Sequence, residues 1–375
     1  MADIYLIGVR GIPNRYGGFE RLVEVLAPHL VQQGHRVTVF CEVDVKPGEA
    51  LPRDDIWEGV QRRYVPVRTG GPLGTIEYDW RSFQAVPPGS VALIFGYGTG
   101  IFQKRLRRLG IPHAVNMDGI EWQRAKWGRL ARTWLRANER AAVRHADILI
   151  ADHPQIQRYL QEEFHAPSSM IAYGIDDDAL QPRETLPGHA LLDQYHANGY
   201  LLIVARPEPE NQIHILLDAY ARSRRKLPML VLGNFDANAY GRALRARHPE
   251  AHFAGGVYDA RVLDALRERS ALYLHGHSVG GTNPSLIEAM AAGALVVAHD
   301  NPFNRWVMGP HGGLFFQGAA DLHALLDEAP LPQVERSALV AAARDRCRAQ
   351  FRWASILQGY SDIVDTLRSK YVGKQ

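Results

Sequence analysis

The sequence predicts an α/β protein built as two doubly wound domains, and three observations carry that expectation. Short apolar runs recur at 4–7, 36–41, 91–95, 114–117 and 147–151, then again at 200–205, 229–232, 271–274 and 294–298. Most of these runs end in polar or glycine-bearing loops, and helical spacing follows several of them, as in parallel sheets with crossover helices. Twice a glycine pair precedes a helix start, at Gly17-Gly18 and at Gly280-Gly281. The length of 375 residues suits two domains of ordinary size, each able to bury a core.

The stretch Ala271 to Asp300 is the most informative. An apolar run passes through a polar loop to Asn283-Pro284, where Asn suits the cap and Pro the first helical position. Gly293 closes that helix. With no side chains at Gly280 and Gly281, a ligand can reach the N–H groups of the loop and first turn, which favour phosphate. Glu288 falls off the face formed by Leu286, Ile287 and Met290. A carboxylate suits neutral hydroxyls such as those of a ribose rather than phosphate; a merely solvated Glu288 in an ordinary βαβ unit is the competing reading.

The first βαβ unit runs from Ile4 through the loop Gly8 to Gly18, a helix carrying Phe19, Leu22, Val23, Leu26 and Leu30, and the run RVTVFC. Glu42 stands where a ribose-binding acid would lie in a dinucleotide fold. Gly8 and Gly11 do not form G-x-G-x-x-G, however, and the loop is too long for that fingerprint, which argues against an oxidoreductase. Asp118 and Glu121 follow the 114–117 run, at a strand's carboxyl end where α/β folds place their chemistry. They suit binding or polarising a hydroxyl nucleophile, and Asp118 equally suits capping the next helix. A helix is expected from Glu121 through Arg136, with Trp127, Leu130 and Trp134 on one face among Arg124, Lys126, Arg129, Arg132 and Arg136. That composition suits anionic lipid or a lipid-linked diphosphate, and tryptophans also suit a core.

Arg206 stands at the end of the 200–205 run, where a guanidinium can pair with phosphate oxygens. The turn at Phe253 to Tyr258 suits the border of a planar base. Asp176, Asp177 and Asp178 read as a solvated turn on the approach to the domain linker. His275 and His277 share one side of a strand but have no third ligand at zinc spacing, so no metal site is expected. The closing segment carries Ile356, Tyr360, Ile363, Val364 and Leu367 at helical spacing.

Composition narrows the class. A net charge of +3 is too small to imply nucleic acid, and the 46% apolar content is that of a globular chain. Cys41 and Cys347, far apart in sequence, suggest no disulfide framework and fit a reducing cytosol. No signal peptide is evident, and no window approaches the roughly 18 apolar residues of a spanning helix. The expected location is cytoplasmic, with any membrane association peripheral.

With these residues in view, the chain resembles glycosyltransferase family 4, and more narrowly the bacterial β1,4-rhamnosyltransferase-like group of capsule and exopolysaccharide assembly. The stretches that carry the resemblance include GVRGIPNRYGGFERLVEVLAPHLVQQGHRVTVFCE, FGYGTG, NMDGIEWQRAKW and YGID. In the second half they are VARPEPENQIHILLDAY, HSVGGTNPSLIEAMAAG and AHDNPFN. The resemblance implies a GT-B fold: two Rossmann-like domains facing across a cleft, with the C-terminal helix crossing back to the first. The domains would span 1–185, with a closing helix at about 355–375, and 190–354.

The activity implied is a retaining, metal-independent transfer from a nucleotide diphosphate sugar, dTDP-rhamnose being the leading candidate, to a hydroxyl of a lipid-linked saccharide. No cofactor is expected beyond the nucleotide-sugar co-substrate. Carried over by position, the resemblance makes Arg206 the catalytic residue that meets the donor diphosphate, and the strand-end acids Asp118 and Glu121 join it as catalytic candidates. The donor would be held by Gly17, Gly18, Arg206, Asn211, Gly281, Thr282, Asn283, Ser285 and Glu288. Two family residues are replaced here: a Glu eight positions before Glu288 by Gly280, and a Lys by Asn211. Trp306 replaces the acid expected after NPFNR. An epimerase or phosphorylase on the same fold, and a non-catalytic glycan-assembly protein, remain the rival readings.

Overall fold

The computed structural model describes residues 1–14, 17–44, 50–124, 127–181, 185–224 and 227–372. Arg15 and Tyr16 of the first glycine loop, and Ala125 and Lys126 of the middle motif, lie outside the described residues. The chain divides into two compact units. The first comprises Met1–Gln123, Trp127–Ala172 and Ala354–Gln375; the second comprises Tyr173–Trp353 together with Arg124–Lys126.

The first unit is an eight-stranded sheet of β1 (Asp3–Ile7), β2 (Arg36–Asp44), β3 (Asp55–Trp57), β4 (Val60–Val67), β5 (Val91–Phe95), β6 (His113–Asn116), β7 (Ile148–Ala151) and β8 (Ser168–Met170). The spatial order is β3-β4-β2-β1-β5-β6-β7-β8, parallel except for the β3–β4 pair. Central strands are covered on both faces, and Leu6, Val39 and Leu93 are 0–1% exposed, so their sequences are continuous apolar runs rather than alternating ones. The helix Gly18–Gln32 buries Leu22, Val23, Leu26 and Leu30 against this sheet, the stripe that its 3.6-residue spacing predicts.

The second unit is a six-stranded, wholly parallel sheet of β9 (Leu201–Val204), β10 (Met229–Leu232), β11 (His252–Gly255), β12 (Leu272–His275), β13 (Val296–His299) and β14 (Leu314–Phe316). Its order is β11-β10-β9-β12-β13-β14. Leu201, Ile203, Val231, Leu274 and Val297 join Ile213, Leu216, Leu217 and Leu322 in one core. Cys41 and Cys347 are both free and buried.

The closing helix Trp353–Val372 returns to the first unit from Ala354 onward. It is fixed there by apolar burial of Ile363, Val364 and Leu367 and by a buried hydrogen bond from Asn116 Nδ2 to the Tyr360 hydroxyl, 2.8 Å. Asp177 pairs with Arg352 at 2.7 Å, and Asp176 accepts from Trp353 Nε1 at 3.0 Å. Two of the three aspartates expected as a solvated turn therefore tie the start of that helix to the 176–178 turn.

The region after Asp118 differs from the expected single helix. Glu121–Gln123 forms one 3-10 turn, and the α-helix begins only at Arg129 with Gly128 at its cap. Trp127 thus lies outside the helix, its Nε1 donating to Glu121 Oε1 at 3.1 Å. Asp118 sits at φ +52° and accepts no role as that helix's cap, being remote from it in sequence.

Candidate functional site

In each sheet the connections run outward in opposite directions from one pair of neighbouring strands, β1 and β5 in the first unit, β9 and β12 in the second. Loops leaving the carboxyl ends of such a pair part to opposite faces and leave a crevice, the usual ligand position of an open parallel sheet.

In the first unit Gly8 ends β1 at φ +92°, and a Cβ added there would lie 2.3 Å from the Phe95 carbonyl oxygen at the end of β5. Only glycine allows this approach at the crevice. Gly17 precedes the helix in an extended conformation and Gly18 is its first residue. The glycines are not bare of charge. Glu20 Oε1 accepts from Arg10 N at 3.1 Å, and Glu24 Oε1 from Asn14 N at 2.9 Å. Glu20, the carboxylate of the first turn, opposes a phosphate there and suits sugar hydroxyls, while Glu24 lies further along and pairs with Arg21 at 2.6 Å; this narrows the expectation for Gly17 and Gly18. Asp118 N donates to Asn116 Oδ1 at 3.0 Å, and Glu121 N to the Tyr97 hydroxyl at 2.7 Å. Both acids are thereby placed beyond the ends of β6 and β5.

In the second unit the loop after β9 and the loop after β12 are joined. Ser278 N and Oγ both donate to the Glu210 carbonyl, at 3.0 and 2.9 Å. Ser285 Oγ lies 2.6 Å from the Tyr273 hydroxyl and 3.3 Å from the Val204 carbonyl. Gly276 makes the approach possible: a Cβ there would meet the Asn211 carbonyl oxygen at 2.4 Å. Gly276→Ala must push the loops apart, and we expect it to cost about 2 kcal/mol of stability. Urea denaturation beside nucleotide titration checks this; an unchanged midpoint would show that the contact is slack.

Arg206 is exposed, and among the described residues no hydrogen bond or ion pair occupies its guanidinium. Asn211 is 6% exposed and donates through Nδ2 to the Arg206 carbonyl at 2.9 Å. It therefore acts on the position of Arg206, where the Lys that the resemblance led to expect would offer a charge.

The start of the helix Pro284–Ala292 is less bare than expected. Asn283 Oδ1 accepts from Ser285 N at 3.0 Å, and Leu286 N and Ile287 N both bond to the Asn283 carbonyl. The Ser285 amide, the Ser285 hydroxyl and the Asn283 carbonyl groups are thus engaged within the protein. This corrects the expectation of free first-turn amides; just before the helix, Thr282 is 4% exposed. Gly280 has φ +139° with open space where a Cβ would stand, so the position at which the resemblance implied an acid is unfilled by the described residues.

Glu288 is held by a residue that the sequence did not single out. Arg267, its side chain 3% exposed, donates to Glu288 Oε2 at 2.7 Å and to Asp264 Oδ1 at 3.0 Å. β12 ends at His275, so His277 lies beyond the strand rather than on it, and the two rings stack with centroids 4.2 Å apart. Burial first, and then the Arg206 charge, lowers the His277 pKa to about 3, so its ring is neutral near pH 7. Among the described residues no three His, Cys, Asp or Glu side chains converge as a metal site. Buried polar atoms without partners are rare in folded proteins, yet at this strand edge Glu210 carries two and Gln212, His275 and His277 one each. Beside it, at the ends of β10 and β11, lies a cavity of 170 Å³ lined by Gly233, Asn234, Phe235, Phe253, Gly255 and Tyr258. Trp306 packs edge-on against Phe351 and under Arg346, a structural role that accounts for an aromatic residue there.

Comparison with known proteins bears on this arrangement. Residues 1–84 and 91–176 match the family described as Domain of unknown function (DUF1972). Residues 192–346 match Glycosyl transferases group 1. No curated protein matches the sequence. Among solved structures, sucrose-phosphate synthase from Thermosynechococcus elongatus aligns at TM-score 0.82 and 19% identity over 99% of this chain and 100% of its own. HepE of Anabaena, in complex with UDP and glucose, aligns at 0.75 and 15% over 98% and 100%. Trehalose 6-phosphate synthase from Burkholderia multivorans aligns at 0.74 and 14% over 100% and 98%. These neighbours share the GT-B type fold, two Rossmann-like parallel sheets in one chain. Residues 192–346 thus carry the likeness to group 1 glycosyl transferases, and the chain has the GT-B type fold of these neighbours.

Proposed function

We propose that the chain transfers a sugar, with retention, from a nucleotide diphosphate donor to a hydroxyl of a lipid-linked saccharide in surface polysaccharide assembly. Within family 4, the rhamnosyltransferase-like group and dTDP-rhamnose as donor are the reading we favour. The observation that carries the donor site is the joined pair of loops after β9 and β12. It sets an unpaired Arg206 on the same sheet edge as the Gly280 to Thr282 backbone. HepE, crystallised with UDP-glucose, supports a nucleotide sugar as the donor class.

In this reading the diphosphate meets Arg206 and the backbone at Gly281, with Asn211 holding Arg206 in place. Glu288 accepts from the ribose hydroxyls, and the base enters the cavity between Phe235 and Tyr258. The open space at Gly280 takes part of the donor sugar. Asp118 and Glu121 are the acceptor-side groups of the first unit, and Gly18 offers backbone to a sugar, the Gly17 N–H and carbonyl being engaged by Asn14 and Arg21. The anomeric carbon–oxygen bond to the diphosphate breaks as the acceptor oxygen bonds to the same face, and the acceptor's proton passes to a phosphate oxygen. Fixed positive charge facing the leaving diphosphate stabilises what develops there without a bound metal.

Incubation with a panel of nucleotide sugars tests this, with nucleotide release followed with and without lipid-linked saccharide and in the presence of chelator. We expect release from dTDP-rhamnose that requires acceptor and survives EDTA. Product without acceptor would assign an epimerase or phosphorylase, and absence of nucleotide-sugar binding would assign a non-catalytic assembly role.

A further inference from the structure

The first unit carries a charged face that the transfer reading leaves unused. The helix Arg129–His145 exposes Arg129, Arg132, Arg136, Arg140 and Arg144. Its one acid, Glu139, is turned inward, 2% exposed and accepting from the Tyr159 hydroxyl at 3.0 Å. The exposed side of the helix is therefore positive along its whole length. Leu130 and Trp134, one turn apart, border the arginines and are 89% and 40% exposed.

The same chemistry continues past the helix. Trp134 Nε1 donates to the Gly98 carbonyl at 3.0 Å, and Ile101 N to Asn138 Oδ1 at 3.0 Å, which sets Ile101, 50% exposed, beside it. The next residues form the short helix Gln103–Arg108, whose Lys104, Arg107 and Arg108 are exposed. After burial, the charges of Arg144, Arg107 and Lys104 hold the His145 pKa below its ordinary value, which shows that the two basic groups adjoin. Among the described residues no helix is long and apolar enough to cross a membrane.

We propose that this face docks the chain on an anionic bilayer, with the arginines among the headgroups and Leu130, Trp134 and Ile101 in the interfacial layer. Uniform positive charge selects an anionic partner, and Leu and Ile standing in water beside it select one with an apolar layer under its phosphates. Tryptophan, apolar with one N–H, fits that boundary. Nucleic acid would satisfy the arginines and leave the aliphatic side chains in water.

Sedimentation of the full chain tests the proposal, with vesicles of phosphatidylcholine alone and of phosphatidylcholine mixed with phosphatidylglycerol. We expect binding to the mixed vesicles only, weakened by salt. R129Q/R132Q/R140Q should lower the partition coefficient about a hundredfold. Leu130→Ser, at a nearly fully exposed position, should lower it about tenfold. A control, R222Q/R261Q/R348Q, removes equal charge from exposed positions of the second unit and should bind as wild type. Equal binding to neutral vesicles, or wild-type binding by the first triple variant, would overturn the proposal. So would duplex DNA binding that Leu130→Ser leaves unchanged, in a protein that ignores vesicles. Nucleotide release with a soluble acceptor reads the transfer reaction separately, and the helix variants should leave it unchanged.

Discussion

Arg206→Ala is expected to lower kcat/KM for the nucleotide sugar by about 10²- to 10³-fold, the usual loss when one preorganised donor to a developing anion is removed. The fold should be unaffected. The side chain is exposed with no protein partner among the described residues, and Asn211 holds the backbone carbonyl, which alanine keeps. Arg206→Lys should recover part of the loss, because an ammonium supplies charge but not the paired geometry of a guanidinium. Initial rates of nucleotide release, together with thermal unfolding of each variant, separate chemistry from stability. Near-wild-type turnover in the alanine variant would remove the diphosphate from this strand edge.

Arg267→Met should destabilise the protein by about 3 kcal/mol, the lower end for breaking a buried ion pair. Its guanidinium is shared between Asp264 and Glu288, whose side chains are 16% and 38% exposed, so partial hydration of Glu288 moderates the cost. Glu288 would also lose the contact that fixes its carboxylate. Glu288→Gln retains the shape but weakens any charged hydrogen bond to a ribose, and nucleotide affinity should fall about tenfold or more. The stability effect appears in urea denaturation and the binding effect in calorimetry. If Arg267→Met unfolds at the wild-type midpoint, the ion pair is not structural; if Glu288→Gln binds nucleotide normally, the ribose assignment fails.

Much of the architecture was legible in local sequence. Buried parallel strands are continuous apolar runs, so 91–95 and 229–232 coincide with β5 and β10. The Asn283-Pro284 and Gly293 signals likewise gave the bounds of the helix between them, because capping chemistry is local. Exposed or short elements were not legible. β4, with the sequence VQRRYVPV, has polar residues among its apolar ones, and β8 and β14 are three residues long. The expected helix from Glu121 begins only at Arg129, where Gly128 is extended at its cap, and Trp127, outside it, donates to Glu121.

The sequence by itself determined the residue types at the site: an arginine past one strand, glycines before a capped helix past another, and a carboxylate one turn in. It also determined the basic, tryptophan-bearing character of the segment around Arg129–His145. Only the tertiary structure decided which of these groups remain available. Asn283 and Ser285 are spent on their own helix and on β9, Asn211 is spent on Arg206, and Arg267 emerges from three arginines of one helix as the partner of Glu288. Sequence spacing fixes chemistry and local direction, but a hydrogen bond is claimed by whichever partner the packed chain brings within about 3 Å. That competition involves residues far apart in sequence, and only the folded chain settles it.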